Sequence, residues 1–182
     1  TYGDWSSDVC SSDLVFVLGL SATLGAMAVP GTLASLDDQR AAAAARYLNM
    51  RLQRARMEAI VRGASCAVRI STAGSNFSFA VFADGNGNGV LSKDIQAGID
   101  RQTAPSERLS YQFPGAEFGT IAGLPPIDAS SAAPGSDPIR LGAGSMVVFT
   151  NAGTATPGSL YIKSARGAQY AVRIFGETGR TR

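Results

Sequence analysis

The sequence predicts an α+β protein. A long N-terminal helix, part membrane anchor and part amphipathic spine, is followed by an antiparallel β-rich globular head. Three observations predict it. An apolar run from Leu14 to Val29 leads into a segment whose alanines and leucines recur at spacings of three and four. After Gly63 the period changes to alternation, the signature of half-buried strands. The alternating segments are separated by clusters of Gly, Pro, Asn and Asp.

Composition sets outer bounds. The chain has 182 residues, which suits one soluble domain plus an anchor. It holds 21 glycines and only 16% charged residues, as a turn-rich head requires. The formal net charge of +2 gives no whole-chain signal for nucleic acid. Histidine is missing from the sequence, which removes the commonest general base and metal ligand. The two cysteines, Cys10 and Cys66, are too few for a zinc cage without histidine. A membrane-crossing segment between them would argue against an intrachain disulfide, and Cys66 reads as a small buried strand residue.

Residues 1–13 read unlike the rest. Ser6-Ser7-Asp8-Val9-Cys10 is nearly repeated by Ser11-Ser12-Asp13-Leu14, and no basic flank precedes the apolar run. This stretch is expected to be foreign, a cloning or assembly remnant, or a disordered native tail. It is set aside from the fold.

Residues 14–29 form the expected transmembrane segment. As a helix they cover about 24 Å, a little short of a bilayer core of about 30 Å. A buried core helix or a signal-peptide core would share this composition. The continuation favours an anchor. Past Pro30 the alanine run Ala41–Ala45 is rich in the strongest helix former. Ala45, Leu48, Leu52, Ala55 and Ala59 draw one apolar stripe, with Arg46, Arg51, Arg54 and Arg62 off it. Gly63 supplies a stop. One helix from Leu14 to Arg62, with room for a bend at Pro30, would exceed roughly 70 Å. Residues 30–63 are therefore expected to be an amphipathic continuation, and residues 64–182 the head.

In the head, Cys66, Val68 and Ile70 share one strand face, and Phe77, Phe79 and Val81 the next. Leu109, Tyr111 and Phe113 alternate as a further strand. Gly123–Pro138 reads as a long surface loop. Met146–Phe149, Ser159–Ile162 and Tyr170–Phe175 complete the series.

Candidate sites are sparse. Asp84, Asn86 and Asn88, with Gly89, match the first half of a Ca²⁺-binding EF loop. The twelfth position, which needs a bidentate acid, is Ile95, and Asp94 lies one place early. A glycine-rich hairpin turn is the plainer reading. Glu58 lies four residues from both Arg54 and Arg62, which suits surface ion pairs of a few tenths of a kcal/mol each; an intersubunit contact is the alternative. The C-terminal stretch carries Lys163, Arg166, Arg173, Arg180 and Arg182 against Glu177 alone. A solvated basic tail is the plainer reading, and a phosphate-binding patch the alternative. No Ser-His-Asp, Cys-His or paired-carboxylate arrangement is legible, so neither a catalytic residue nor a cofactor is expected.

Several segments, in this order along the chain, carry a family resemblance. Ala28-Val29-Pro30 ends the apolar helix as in type IV pilins and type II secretion pseudopilins. Arg54-Ala55-Arg56-Met57-Glu58-Ala59-Ile60-Val61-Arg62-Gly63 resembles a stretch common in the GspH/FimT branch. An aromatic strand running into Asp84-Gly85-Asn86-Gly87-Asn88-Gly89, and an ending with Thr178-Gly179-Arg180, are similar to that branch as well. The resemblance spans Leu14 to Arg182. It implies a minor pseudopilin, a single-pass inner-membrane protein with its head in the periplasm and no enzymatic activity. Its partners would be other pseudopilins or pilins, inner-membrane lipid and, further, a secreted substrate. The implied assembly helix includes Leu14, Val17, Leu20, Leu24, Pro30 and Glu58. Family members carry a short basic leader, a Gly cleavage site, a Phe or Met that becomes methylated, and a glutamate a few residues on. None of these is present here, and Asp13 falls about where that acid would sit only by coincidence, amid foreign-looking surroundings. Some FimT-like proteins end in Gly-Arg-x-Arg, a motif associated with DNA capture during uptake. Gly179-Arg180-Thr181-Arg182 matches it, which makes Arg180, Arg182, Arg173 and Arg166 the nucleic-acid candidates. Type II secretion and type IV pilus assembly both remain open at this point.

Overall fold

The computed structural model describes residues 8–74, 76–127, 132–142 and 144–182. The chain divides into two compact units, Thr1–Leu36 and Asp37–Arg182. One helix, α1, is assigned to Asp8–Arg62. It starts ahead of Leu14, so residues 8–13, set aside in the sequence reading, are helical. Residues 1–7 lie outside the described residues. The helix is continuous through Pro30, which forfeits one N–H donor there. It stops at Gly63, whose φ of +65° is the left-handed end that glycine adopts without a Cβ penalty. The Gly63 N–H closes onto the Ile60 carbonyl at 3.3 Å.

The second unit builds its core on α1. Ala41, Ala44, Ala45, Leu48, Leu52, Ala55 and Ala59 are all buried. The small alanines let the sheets approach closely, while Leu48 and Leu52 fill the space between them. Truncating either leucine to alanine would cost about 2–5 kcal/mol.

Two four-stranded sheets cover this face among the described residues. The first contains β1 (Cys66–Ala73), β2 (Asn76–Ala83), β3 (Arg101–Gln102) and β6 (Met146–Phe149), in the order β3-β2-β1-β6. β1 and β2 form a hairpin with Cys66 opposite Ala83 and Ala73 opposite Asn76. Cys66, Val68, Ile70, Phe79, Val81, Val147 and Phe149 join the helix in one core cluster. The reverse face of this sheet is also covered: Ala67, Met146 and Val90 form a second cluster, with Phe82, Ile95 and Val148 packed against it. The short helix α2 (Ser92–Gln96) belongs to that covering segment.

The second sheet centres on β7 (Gly158–Lys163), which pairs along its length with β8 (Gln169–Ile174). The other edge of β7 is shared by two short strands. β4 (Glu117–Phe118) lies against Ile162 and Lys163, and β5 (Ile139–Arg140) against Ser159 and Leu160. Leu160, Ile162, Val172 and Ile174 point into the main core.

The segment read as a strand at Leu109, Tyr111 and Phe113 is instead a single helical turn, α3 (Leu109–Gln112). Alternation and helical spacing coincide here. Leu109 and Phe113 are four residues apart and meet the core together, while Tyr111 is 76% exposed.

Candidate functional site

The first unit offers apolar surface and little else. Leu14, Val15, Phe16, Val17 and Leu18 are consecutive, and each is more than half exposed. Five consecutive helical residues point in every direction, so the helix is apolar all round. Leu20 and Leu24 are exposed likewise. Two of its hydroxyls bond back to the helix: Ser21 Oγ donates to the Val17 carbonyl at 2.7 Å and Thr23 Oγ1 to the Leu20 carbonyl at 2.8 Å. Such back-bonding suits a medium that offers no water. By length and composition this helix can cross a membrane. The Pro30 side chain lies outside the described residues.

In the second unit, Glu58 pairs with Arg62 at 2.7 Å. Arg54 takes no part and has no ion-pair partner among the described residues. Arg51, placed on the solvent side by its spacing, is only 14% exposed and pairs with Glu107. Tyr47 donates to the same carboxylate, and Gln112 Nε2 donates to the Tyr47 hydroxyl at 3.2 Å. This polar node ties α1 to the segment before α3. Sequence reasoning missed it, since a partner some fifty residues away leaves no local signal.

The Asp84 loop is a closed hydrogen-bond system. Asp84 Oδ1 accepts from the N–H groups of Asn86 (3.0 Å) and Gly87 (2.7 Å), and Oδ2 from Gly89 (2.8 Å). Burial raises its pKa, but these N–H donors outweigh it and hold the carboxyl below its usual value. Buried Asp100 accepts from the N–H groups of Gly85 and Leu91, at 3.1 and 2.9 Å. The side-chain amides of Asn86 and Asn88 both donate to Asp94, at 3.5 and 3.0 Å. Each of these three carboxylates therefore accepts hydrogen bonds from the loop itself. Among the described residues no group of three His, Cys, Asp or Glu is arranged to hold a metal. Cys66 is free and buried, and burial pushes its thiol pKa up, with the Glu58 charge adding to the effect. A thiol held neutral in this way is a poor nucleophile.

The C-terminal arginines divide. Arg166 sits at the β7–β8 turn, where Asp37 holds it at 3.1 Å. Arg173, Arg180 and Arg182 come together at the other end of β8. The last residues return antiparallel along that strand: Arg173 and Arg182 exchange backbone hydrogen bonds at 2.8 and 3.0 Å, and Phe175 N–H donates to the Arg180 carbonyl at 2.9 Å. Thr181, opposite Ile174, turns inward and bonds to Gln53 and Asn49 on α1. Alternation then puts Arg180 and Arg182 on the outer face with Arg173 and Phe175. The Arg173 guanidinium lies 5.7 Å from the Phe175 ring centroid. Phe175, Arg180 and Arg182 line an open groove of about 600 Å³. Gly179 makes the return possible, at φ +58° and packed against the Gly153 carbonyl and Arg56.

A long helix, apolar and exposed at one end and buried as the spine of a β-rich head at the other, defines a pilin-like subunit. Residues 44–178 match the family described as Type II transport protein GspH, and the chain belongs to that family. No curated protein sequence matches it. Among solved structures, two of the minor pseudopilin EpsH from the type 2 secretion system of Vibrio cholerae are similar. One shares 18% identity at a TM-score of 0.49, covering 79% of this chain and 94% of that one. The other shares 18% identity at 0.47, covering 80% and 93%.

Proposed function

We propose that the chain is a minor pseudopilin of a type II secretion pseudopilus, assembled with other pseudopilins through its N-terminal helix. Residues 14–29 hold it in the inner membrane, and residues 64–182 form a head in the periplasm. The observation that carries this reading is the helix of the first unit, apolar on every side and exposed from Leu14 to Met27, in a member of the GspH family. Such a surface needs lipid before assembly and neighbouring helices after it. Leu14, Val17, Leu20 and Leu24 supply the contact, and Glu58 lies on the head half of the same helix. The role is structural, with engagement of secreted substrate as its extension. The sequence contains no histidine to serve as a general base. The test is recovery of the chain in sheared pseudopili from cells carrying the secretion machinery. Wild type should be present and a Leu20→Arg, Leu24→Arg variant missing at equal expression. Equal recovery of both would remove helix packing from the account.

A second reading, a DNA-capturing minor pilin, is favoured by one observation: three arginines and Phe175 share the outer face at the end of β8. The arginines would pair phosphates and the ring would stack on a base. Titration of the head with duplex DNA separates the readings, since a purely structural subunit gives no binding even at low salt.

A further inference from the structure

The flank of α1 that turns away from the core carries side chains untypical of a solvated helix face. Met57 is 53% exposed and Val61 80% exposed. They line a groove of about 470 Å³ with Arg54, and its walls reach Ala55 on the helix and Val81 on β2, both buried. The Tyr47, Arg51 and Glu107 node continues this surface to α3. There the Arg108 guanidinium lies 5.3 Å from the Tyr111 ring centroid and donates to its hydroxyl at 3.1 Å.

Charge on this surface is one-sided. Arg51 is balanced by Glu107, and Arg62 by Glu58. Arg54 and Arg108 have no acidic partner among the described residues. Arginine, tyrosine and methionine around an apolar recess are the residue types that concentrate binding energy at protein interfaces, and lysine is missing from the patch.

We propose that this flank, from Tyr47 to Val61 together with α3, docks an acidic face of a neighbouring protein subunit. An apolar side chain of the partner enters the Met57–Val61 groove, and its carboxylates pair with Arg54 and Arg108. A bidentate arginine–carboxylate pair at the rim sets orientation, and the buried apolar contact sets residence time. The proposal extends the subunit reading but does not depend on membrane anchoring, which cell fractionation tests separately.

Zero-length cross-linking tests it. Arg54→Lys and Arg108→Lys keep the charge and introduce a primary amine. A carbodiimide condenses that amine with a touching carboxylate to an amide, taking up the lost water as urea. The experiment uses unfractionated extract of cells that make the full chain with the rest of the secretion machine. The native Lys163–Glu117 pair, 3.1 Å apart, reports a folded head in every sample. Each variant should give an adduct missing from wild type, both adducts should map by mass spectrometry to Asp or Glu of one partner protein, and added Met57→Asp should lower their yield at least roughly fivefold. Lack of any adduct beyond wild type, or adducts indifferent to Met57→Asp, overturns the proposal. So does duplex-DNA binding by the full chain in detergent that Arg54→Glu with Arg108→Glu abolishes, since the patch would then be a polyanion site.

Discussion

Gly179 and Gly63 both hold left-handed backbone, at φ +58° and +65°, in different surroundings. A Cβ on Gly63 would meet nothing within 4 Å. Gly63→Ala therefore carries only the conformational penalty, about 1 kcal/mol. A Cβ on Gly179 would press into the Gly153 carbonyl oxygen and lie 2.9 Å from Arg56 Nε. Arg56 Nε itself donates to that carbonyl at 3.3 Å. Relieving the overlap displaces this charged hydrogen bond, about 1.5–3 kcal/mol in addition. The sum for Gly179→Ala is about 2.5–4 kcal/mol. For a head of this size each kcal/mol moves Tm by roughly 3–4 °C. Thermal unfolding of a truncated chain beginning at Leu36, followed by circular dichroism, should show a loss of about 4 °C for Gly63→Ala and about 8 °C or more for Gly179→Ala. Losses equal within about 2 °C would refute the idea that the C-terminal return is seated on α1 through Gly179.

Three further outcomes follow from the loop and the tail. Asp84 has a folded pKa below its unfolded value, so its contribution is present above about pH 4 and lost as pH falls through the folded pKa; acid titration of head stability should show this limb, and Asp84→Asn should flatten it. Calorimetric titration of the head with Ca²⁺ should give no dissociation constant tighter than about 10⁻⁵ M, because the loop carboxylates already accept the loop's amides and position twelve is Ile95. If the head binds duplex DNA, Arg180→Ala with Arg182→Ala should weaken binding uniformly across sequences and flatten the salt dependence by about one unit per lost phosphate contact; fluorescence anisotropy at several salt concentrations reads both, and binding unaltered by the double change would place the contacts elsewhere.

The spine was legible because its signal is periodic. All five residues of the stripe Ala45, Leu48, Leu52, Ala55 and Ala59 are buried, and the helix ends at Gly63. The faces of β1 and β2 followed from alternation. Three kinds of feature escaped. Strands of two residues, such as β3, β4 and β5, are too short to show a period. The Leu109–Phe113 pair satisfies strand and helical spacing alike, and contact with the core decided it. Long-range polar pairs leave no trace in sequence: Arg51 is drawn inward by Glu107, and Arg166 is removed from the other C-terminal arginines by Asp37. The grouping of Arg180 and Arg182 with Arg173 could have been found from the alternation around Thr181. The carboxyl of Asp100, which anchors Gly85 and Leu91, could not.

We propose that residues 14–29 anchor this GspH-family subunit in a membrane. Alkaline carbonate extraction of cells expressing the full chain, beside the truncated chain beginning at Leu36, tests it most directly. The full chain should stay in the membrane pellet until detergent is added, and the truncated chain should be soluble and folded. Recovery of the full chain in the soluble fraction without detergent would contradict the account.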